Sequence, residues 1–206
     1  MSIAVAALAA YLIGGIPFSY IAGKLAKGID LREHGSGNLG ASNTYRILGG
    51  RIAIVVLILD IAKGLVPVLV ALRFDPMGAE PYHGIAAAAG AILGHLFSPY
   101  LKFSGGKGIA TSAGAFAGLA PWAFMCALAV FAIVFATRRI VSLGSLAAAV
   151  TLPLAVWAMP GFGLGERHAS ILWVTVFVML AVIFKHRGNI RRLVAGTEPA
   201  LERRRG

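Results

Sequence analysis

Apolar residues occupy this chain in long blocks rather than in alternation. Crossing about 30 Å of hydrocarbon takes roughly 17–25 helical residues. Ser2–Gly23 reaches that length, although Gly14, Gly15 and Pro17 interrupt it. Breaks of this kind persist where neighbouring helices or a polar cavity satisfy the freed backbone groups. No basic residue precedes this run, so it reads as a retained span and not a cleaved signal peptide. Ile52–Leu72 is the second block. It carries Asp60 and Lys63, three apart on one helical face and expected to pair with each other inside the bundle. His83–Phe103 follows, with His95 read as a packing residue. Gly108–Ala120 and Trp122–Thr137 are short and turn at Pro121. Leu143–Met159 and Arg167–Phe184 come last, separated by the outer turn Pro160–Glu166. The pattern predicts an all-α polytopic membrane protein with about seven transmembrane helices, some short or broken. Residues 1–206 form one domain, with 199–206 as a flexible basic tail.

Composition agrees with that pattern. Hydrophobic residues make up 58% of 206 and charged residues 13%, with a mean hydropathy of +0.82, a balance soluble domains rarely reach. The net charge of +11 needs no nucleic acid to explain it. Cytoplasmic loops of membrane proteins collect Lys and Arg, which also attract anionic membrane lipids. Sixteen of the nineteen basic residues fall on one side of the predicted layout, Arg73 and Arg167 on the other, and Lys63 within the membrane. The N-terminus is therefore expected outside and the C-terminus in the cytoplasm, with Trp122 and Trp157 as outer interface anchors. The single cysteine, Cys126, lies in an apolar run and offers no disulfide framework.

Four polar islands interrupt the apolar blocks, all on the predicted inner face. In the first, Gly35, Gly37 and Gly40 alternate with Ser36 and Asn38, and Ser42, Asn43, Thr44 and Arg46 follow. Glycines with φ > 0 let main-chain N–H groups converge on a phosphate, and a helix opening at Gly40 adds its dipole. The second island runs Ser104-Gly105-Gly106-Lys107-Gly108, with Thr111 and Ser112 in the helix that follows. It resembles a phosphate cradle but not a Walker A loop, because Gly108 stands where that motif needs Ser or Thr after the lysine. Arg139-Ile-Val-Ser142 is the third. Lys185-His186-Arg-Gly-Asn189-Ile-Arg-Arg192 is the fourth, with His186 and Asn189 spaced to share one helical face. Such nests and cations beside a bilayer predict a phosphorylated substrate with an acyl chain among the helices. No His, Cys, Asp and Glu cluster has metal-ligand spacing, so no metal or organic cofactor is expected.

Gly35-Ser-Gly-Asn-Leu-Gly-Ala-Ser-Asn43, Leu59-Asp-Ile-Ala-Lys-Gly64, Gly94-His-Leu-Phe, Leu101-Lys-Phe-Ser-Gly-Gly-Lys-Gly108, Arg139-Ile-Val-Ser142, and His186-Arg-Gly-Asn-Ile-Arg-Arg-Leu193 through Gly196-Thr-Glu198 together resemble the bacterial acyl-phosphate-dependent glycerol-3-phosphate acyltransferases. The departures are Leu39 where that family usually has proline, Ser42 where threonine is common, and Gly188 where glutamate is frequent. The resemblance implies that glycerol 3-phosphate attacks a fatty acyl phosphate through its 1-hydroxyl, giving lysophosphatidic acid and inorganic phosphate. It also implies that Ser36, Arg46, Lys107, Ser142, His186 and Asn189 carry the reaction. Arg46 and Lys107 would neutralise phosphate and oxyanion charge, and the two serines would orient substrate oxygens. Acyl phosphate is already activated, so a serine nucleophile is unnecessary. Either His186 or the substrate's own phosphate takes the hydroxyl proton.

Two rivals are weaker. A soluble-type acyl-CoA acyltransferase would need histidine and aspartate separated by four residues, and no histidine here has that partner. A transporter of phosphate or an organic phosphate could also use broken helices to bind anions. The chain has no internal repeat, and its polar islands gather at one face rather than at the midplane.

Overall fold

The computed structural model describes residues 1–75, 81–158 and 168–201. These residues are helical, with no strand among them, and fall into two compact units, Met1–Leu119 and Ala120–Gly206.

In the first unit, α1 (Ile3–Gly15) starts where Ser2 Oγ accepts from the Val5 N–H. It stops before Pro17, which lacks an N–H and disfavours helical angles at Ile16. The chain resumes as α2 (Phe18–Lys27), which ends at Gly28 with φ +69°. The predicted break in the first span is thus real. Two carbonyls at the break find partners from distant segments: Gly15 C=O accepts from Ser98 Oγ, just after α5, at 2.6 Å, and Ile16 C=O from Lys63 Nζ of α4 at 2.8 Å.

After α3 (Ala41–Leu48) come α4 (Gly50–Leu72), α5 (Tyr82–Leu96) and α6 (Ile109–Leu119). Small residues let these helices touch backbone to backbone. A Cβ on Gly90 or Gly94 of α5 would strike the α1 backbone at Ala7 or Tyr11, and one on Gly14 would strike Ala91. Gly64 meets Thr111 and Gly114 meets Ile61 in the same way, locking α4 against α6. Asp60 and Lys63 pair as expected, at 2.7 Å, with side chains only 2% and 3% exposed.

The second unit contains α7 (Pro121–Arg138), α8 (Val141–Ala158), α9 (His168–Lys185) and α10 (Arg187–Val194). Pro121 occupies the first turn of α7, where its missing N–H costs nothing, so α6 and α7 are separate helices as the sequence predicts. α9 and α10 meet at a 63° bend. At the start of the segment expected to be a flexible tail, 199–206, the Leu201 N–H donates to Arg139 C=O at 2.8 Å, in the turn before α8. Residues 202–206 and the turns at 76–80 and Pro160–Glu166 lie outside the described residues, as does Arg167.

Among the described residues, five segments are long and apolar enough to cross a membrane: Ile3–Lys27, Gly50–Leu72, Tyr82–Leu101, Pro121–Arg138 and Val141–Ala158. The bent α9–α10 pair makes a sixth if its two helices count as one span, and α6 is a shorter apolar helix. Large apolar side chains such as Ile58, Leu154 and Trp173 point outward, which suits a lipid surround.

Candidate active site

In the first unit, the segment after α2 makes a short 3-10 turn (Leu31–Glu33) and then the first glycine loop. Gly35 and Gly37 adopt φ +62° and +69°, so glycine is required there. Gly40 is extended, at φ −169°, and serves instead as the residue before α3. Asn43 acts differently from its expected role as a phosphate ligand. Its Nδ2 donates to Leu31 C=O and His34 C=O, while its Oδ1 accepts from the Ser36 N–H at 2.9 Å. Buried and fully engaged, it clamps the loop. Ser36 stays exposed at the loop's apex, and Asn38 is half-buried beside it. Leu39 packs with Leu31 and Leu101 and anchors the loop by apolar contact. Arg46, in the last turn of α3, forms no ion pair with any carboxylate among the described residues.

Before the second glycine loop, Lys102 and Phe103 take φ +53° and +58°. Non-glycine residues rarely adopt such angles, and those that do cluster at functional sites. Ser104 is exposed, Lys107 half-buried, and Gly108 has φ +82°. Gly105 and Gly106 are needed for close approach rather than for φ. A Cβ on Gly105 would strike the His95 carbonyl, and one on Gly106 would strike His95 Nε2 and Leu39 C=O. The two glycine loops therefore touch backbone to backbone, at Leu39 and Gly106. Thr111 and Ser112, expected as ligands, are buried in the first turn of α6, at 0% and 8% exposure. Gly64 brings α4 against the Thr111 carbonyl in the first turn of α6, and the Thr111 and Ser112 hydroxyls have no hydrogen-bond partner among the described residues.

The second unit assembles the remaining candidates. His186 caps α10 and is 2% exposed. Its Nδ1 lies 2.9 Å from Val182 C=O, which can only accept. Nδ1 is therefore the protonated nitrogen, and in the neutral ring Nε2 is the basic one. Ser142 and Asn189 are both held by Glu198. Ser142 Oγ donates to Glu198 Oε1 at 2.6 Å, Asn189 Nδ2 donates to the same oxygen, and Arg192 Nε donates to Oε2 at 2.7 Å. Sequence reasoning did not nominate Glu198. The available signal was its position as the one carboxylate between His168 and Leu201, in a tail rich in arginine.

Burial pushes the Glu198 carboxyl up, but the hydrogen bonds from Ser142, Asn189 and Arg192 outweigh it and hold the group below the ordinary glutamate range. A lowered acid contributes stability that is fully present above its unfolded value, about 4.3, and lost as pH falls through the folded one. Acidification below about pH 4 is therefore expected to release the segment after α10, read as faster hydrogen exchange at Gly196–Leu201. Glu198→Gln should lack that acid step.

A family model described as glycerol-3-phosphate acyltransferase matches residues 4–196. Proteins of that name from Syntrophotalea carbinolica and Trichlorobacter lovleyi are 43% and 46% identical over 191 and 189 residues, covering 93% and 92% of both chains. A crystal structure of PlsY (YgiH), an integral membrane glycerol 3-phosphate acyltransferase in its glycerol 3-phosphate form, superposes with a TM-score of 0.88 at 31% identity, covering 98% of this chain and 96% of that one. Its lysophosphatidic acid form gives 0.85 at 30% identity. The chain belongs to the glycerol-3-phosphate acyltransferase family.

Proposed function

We propose that this protein transfers a fatty acyl group from acyl phosphate to the 1-hydroxyl of glycerol 3-phosphate, releasing lysophosphatidic acid and inorganic phosphate. The observation that carries this reading is the backbone contact between the two glycine loops at Leu39 and Gly106, each loop bringing a cation, Arg46 or Lys107. Two phosphorylated substrates need two cradles side by side. The protein works in a bacterial inner membrane with its site facing the cytoplasm. Seven membrane helices, an outer N-terminus and a cytoplasmic C-terminus fit the distribution of basic residues.

Ser36, Gly37, Asn38 and Arg46 hold one phosphate, and Ser104, Gly105, Gly106, Lys107 and Gly108 hold the other. Arg46 and Lys107 neutralise the charge that grows on the acyl carbonyl oxygen, while the N–H groups of Ser36, Gly37, Ser104 and Gly106 are committed to Asn43 Oδ1 and to the His34, Leu101 and His95 carbonyls and hold the loops in shape. Ser142 gives its hydroxyl hydrogen to Glu198, which leaves its oxygen to accept from a substrate hydroxyl, and Asn189 is oriented by the same carboxylate. His186 Nε2 takes the hydroxyl proton as the new C–O bond forms. The carbonyl carbon's bond to the phosphate oxygen then breaks, and the proton ends on the departing phosphate.

Purified protein given glycerol 3-phosphate and palmitoyl phosphate should release inorganic phosphate, and palmitoyl-CoA should not replace the acyl phosphate. Equal turnover with the thioester would overturn the choice of donor.

A further inference from the structure

We propose that Asp60, Lys63 and His95 form a buried positioning set that fixes the second glycine loop, and with it Lys107, against the first. This rests on the function proposed above but is tested apart from it. Asp60 and Lys63 are charged and almost wholly buried, and a buried ion pair is seldom kept for stability, since apolar residues of similar volume do as well or better. Their geometry shows another use. Lys63 Nζ lies 2.7 Å from Asp60 Oδ1, donates to Ile16 C=O at 2.8 Å, and sits 5.4 Å over the Phe18 ring. Both charges are thereby tied to the break between α1 and α2. On the other side, His95 Nδ1 is 3.9 Å from Asp60 Oδ1.

His95 meets the loop at two points, its main-chain carbonyl by a hydrogen bond and its ring by close approach. Its carbonyl accepts from the Gly106 N–H at 3.1 Å, and its Nε2 sits where a Gly106 Cβ would be, next to Leu39 C=O. Asp60, Lys63, His95, Leu39 and Gly106 also line one small cavity, together with Ser19, whose buried hydroxyl has no hydrogen-bond partner among the described residues. A continuous line of contacts therefore runs from the break in the first span, through a buried charge pair, to the meeting point of the loops. His95 acts through Lys107 and the loop and is a positioning residue, not a catalytic one.

Hydrogen exchange on the full-length protein in detergent tests this without reference to activity. In His95→Ala, and in the near-isosteric Asp60→Asn, amides of Ser104–Gly108 should exchange at least about tenfold faster while those of α1 and α5 keep their protection. His95→Gln, which retains a polar side chain, should restore most of the protection. In the acyl-transfer assay, the same two variants should raise KM for one phosphorylated substrate about tenfold and change kcat less than threefold. Unchanged loop exchange in both variants would overturn the proposal, as would faster exchange spread evenly over the first unit. If the loop loosens but wild-type protein makes no lysophosphatidic acid, the positioning role stands and the proposed reaction fails.

Discussion

Lys107→Ala is expected to lower kcat by about 10²–10³-fold, the usual cost of removing one group aimed at a developing oxyanion. Lys107 sits between Gly106 and Gly108 in a loop whose backbone is fixed by the His95 and Leu39 carbonyls, so the fold sets where its side chain starts. Alanine leaves that backbone in place and takes away only the charge. Arg46 supplies the comparison. It stands on α3, whose start is fixed by the Asn43 clamp, and it presents a planar fork suited to a phosphate. Arg46→Lys keeps the charge but not the fork, so it should raise KM for its substrate about tenfold and leave kcat nearly intact. Steady-state kinetics with each substrate varied in turn checks both. A Lys107→Ala enzyme with wild-type kcat would remove that residue from the site.

The second large effect is expected at His186. Its replacement by alanine should cut kcat by about 10²–10⁴-fold with both KM values little changed, as befits a group that moves a proton. The ring is prepared for this by the Val182 carbonyl, which holds the proton on Nδ1 and leaves Nε2 as the base. Burial at the α9–α10 bend fixes the ring. A variant with normal kcat and raised KM would instead give the proton directly to the acyl phosphate and reduce His186 to a binding group.

Much of this was legible in the chain because lipid leaves few solutions: apolar blocks had to be helices, the Gly14–Pro17 break had to find partners, and Asp60 had to pair with Lys63. The glycine loops were legible too, although for mixed reasons, since Gly35 and Gly37 need positive φ whereas Gly105 and Gly106 need closeness. What could not be read was through-space contact. Nothing in the spacing ties Asn43 to Leu31 and His34, so a clamp looked like a ligand. The burial of Thr111 and Ser112 depends on how α6 packs, which their place after the second glycine loop does not show. Glu198 was visible only as part of a motif, because its partners Ser142 and Asn189 lie 56 and 9 residues away. His95 read as packing because its contacts with Asp60 and Gly106 depend on how three segments meet.

The reaction itself is the most direct measurement. Purified protein in lipid, supplied with glycerol 3-phosphate and palmitoyl phosphate and followed by phosphorus NMR, should convert the two substrate signals into lysophosphatidic acid and inorganic phosphate in equal amounts. Phosphate released without lysophosphatidic acid, or glycerol 3-phosphate carried unchanged across a sealed vesicle, would contradict acyl transfer between two adjacent cradles.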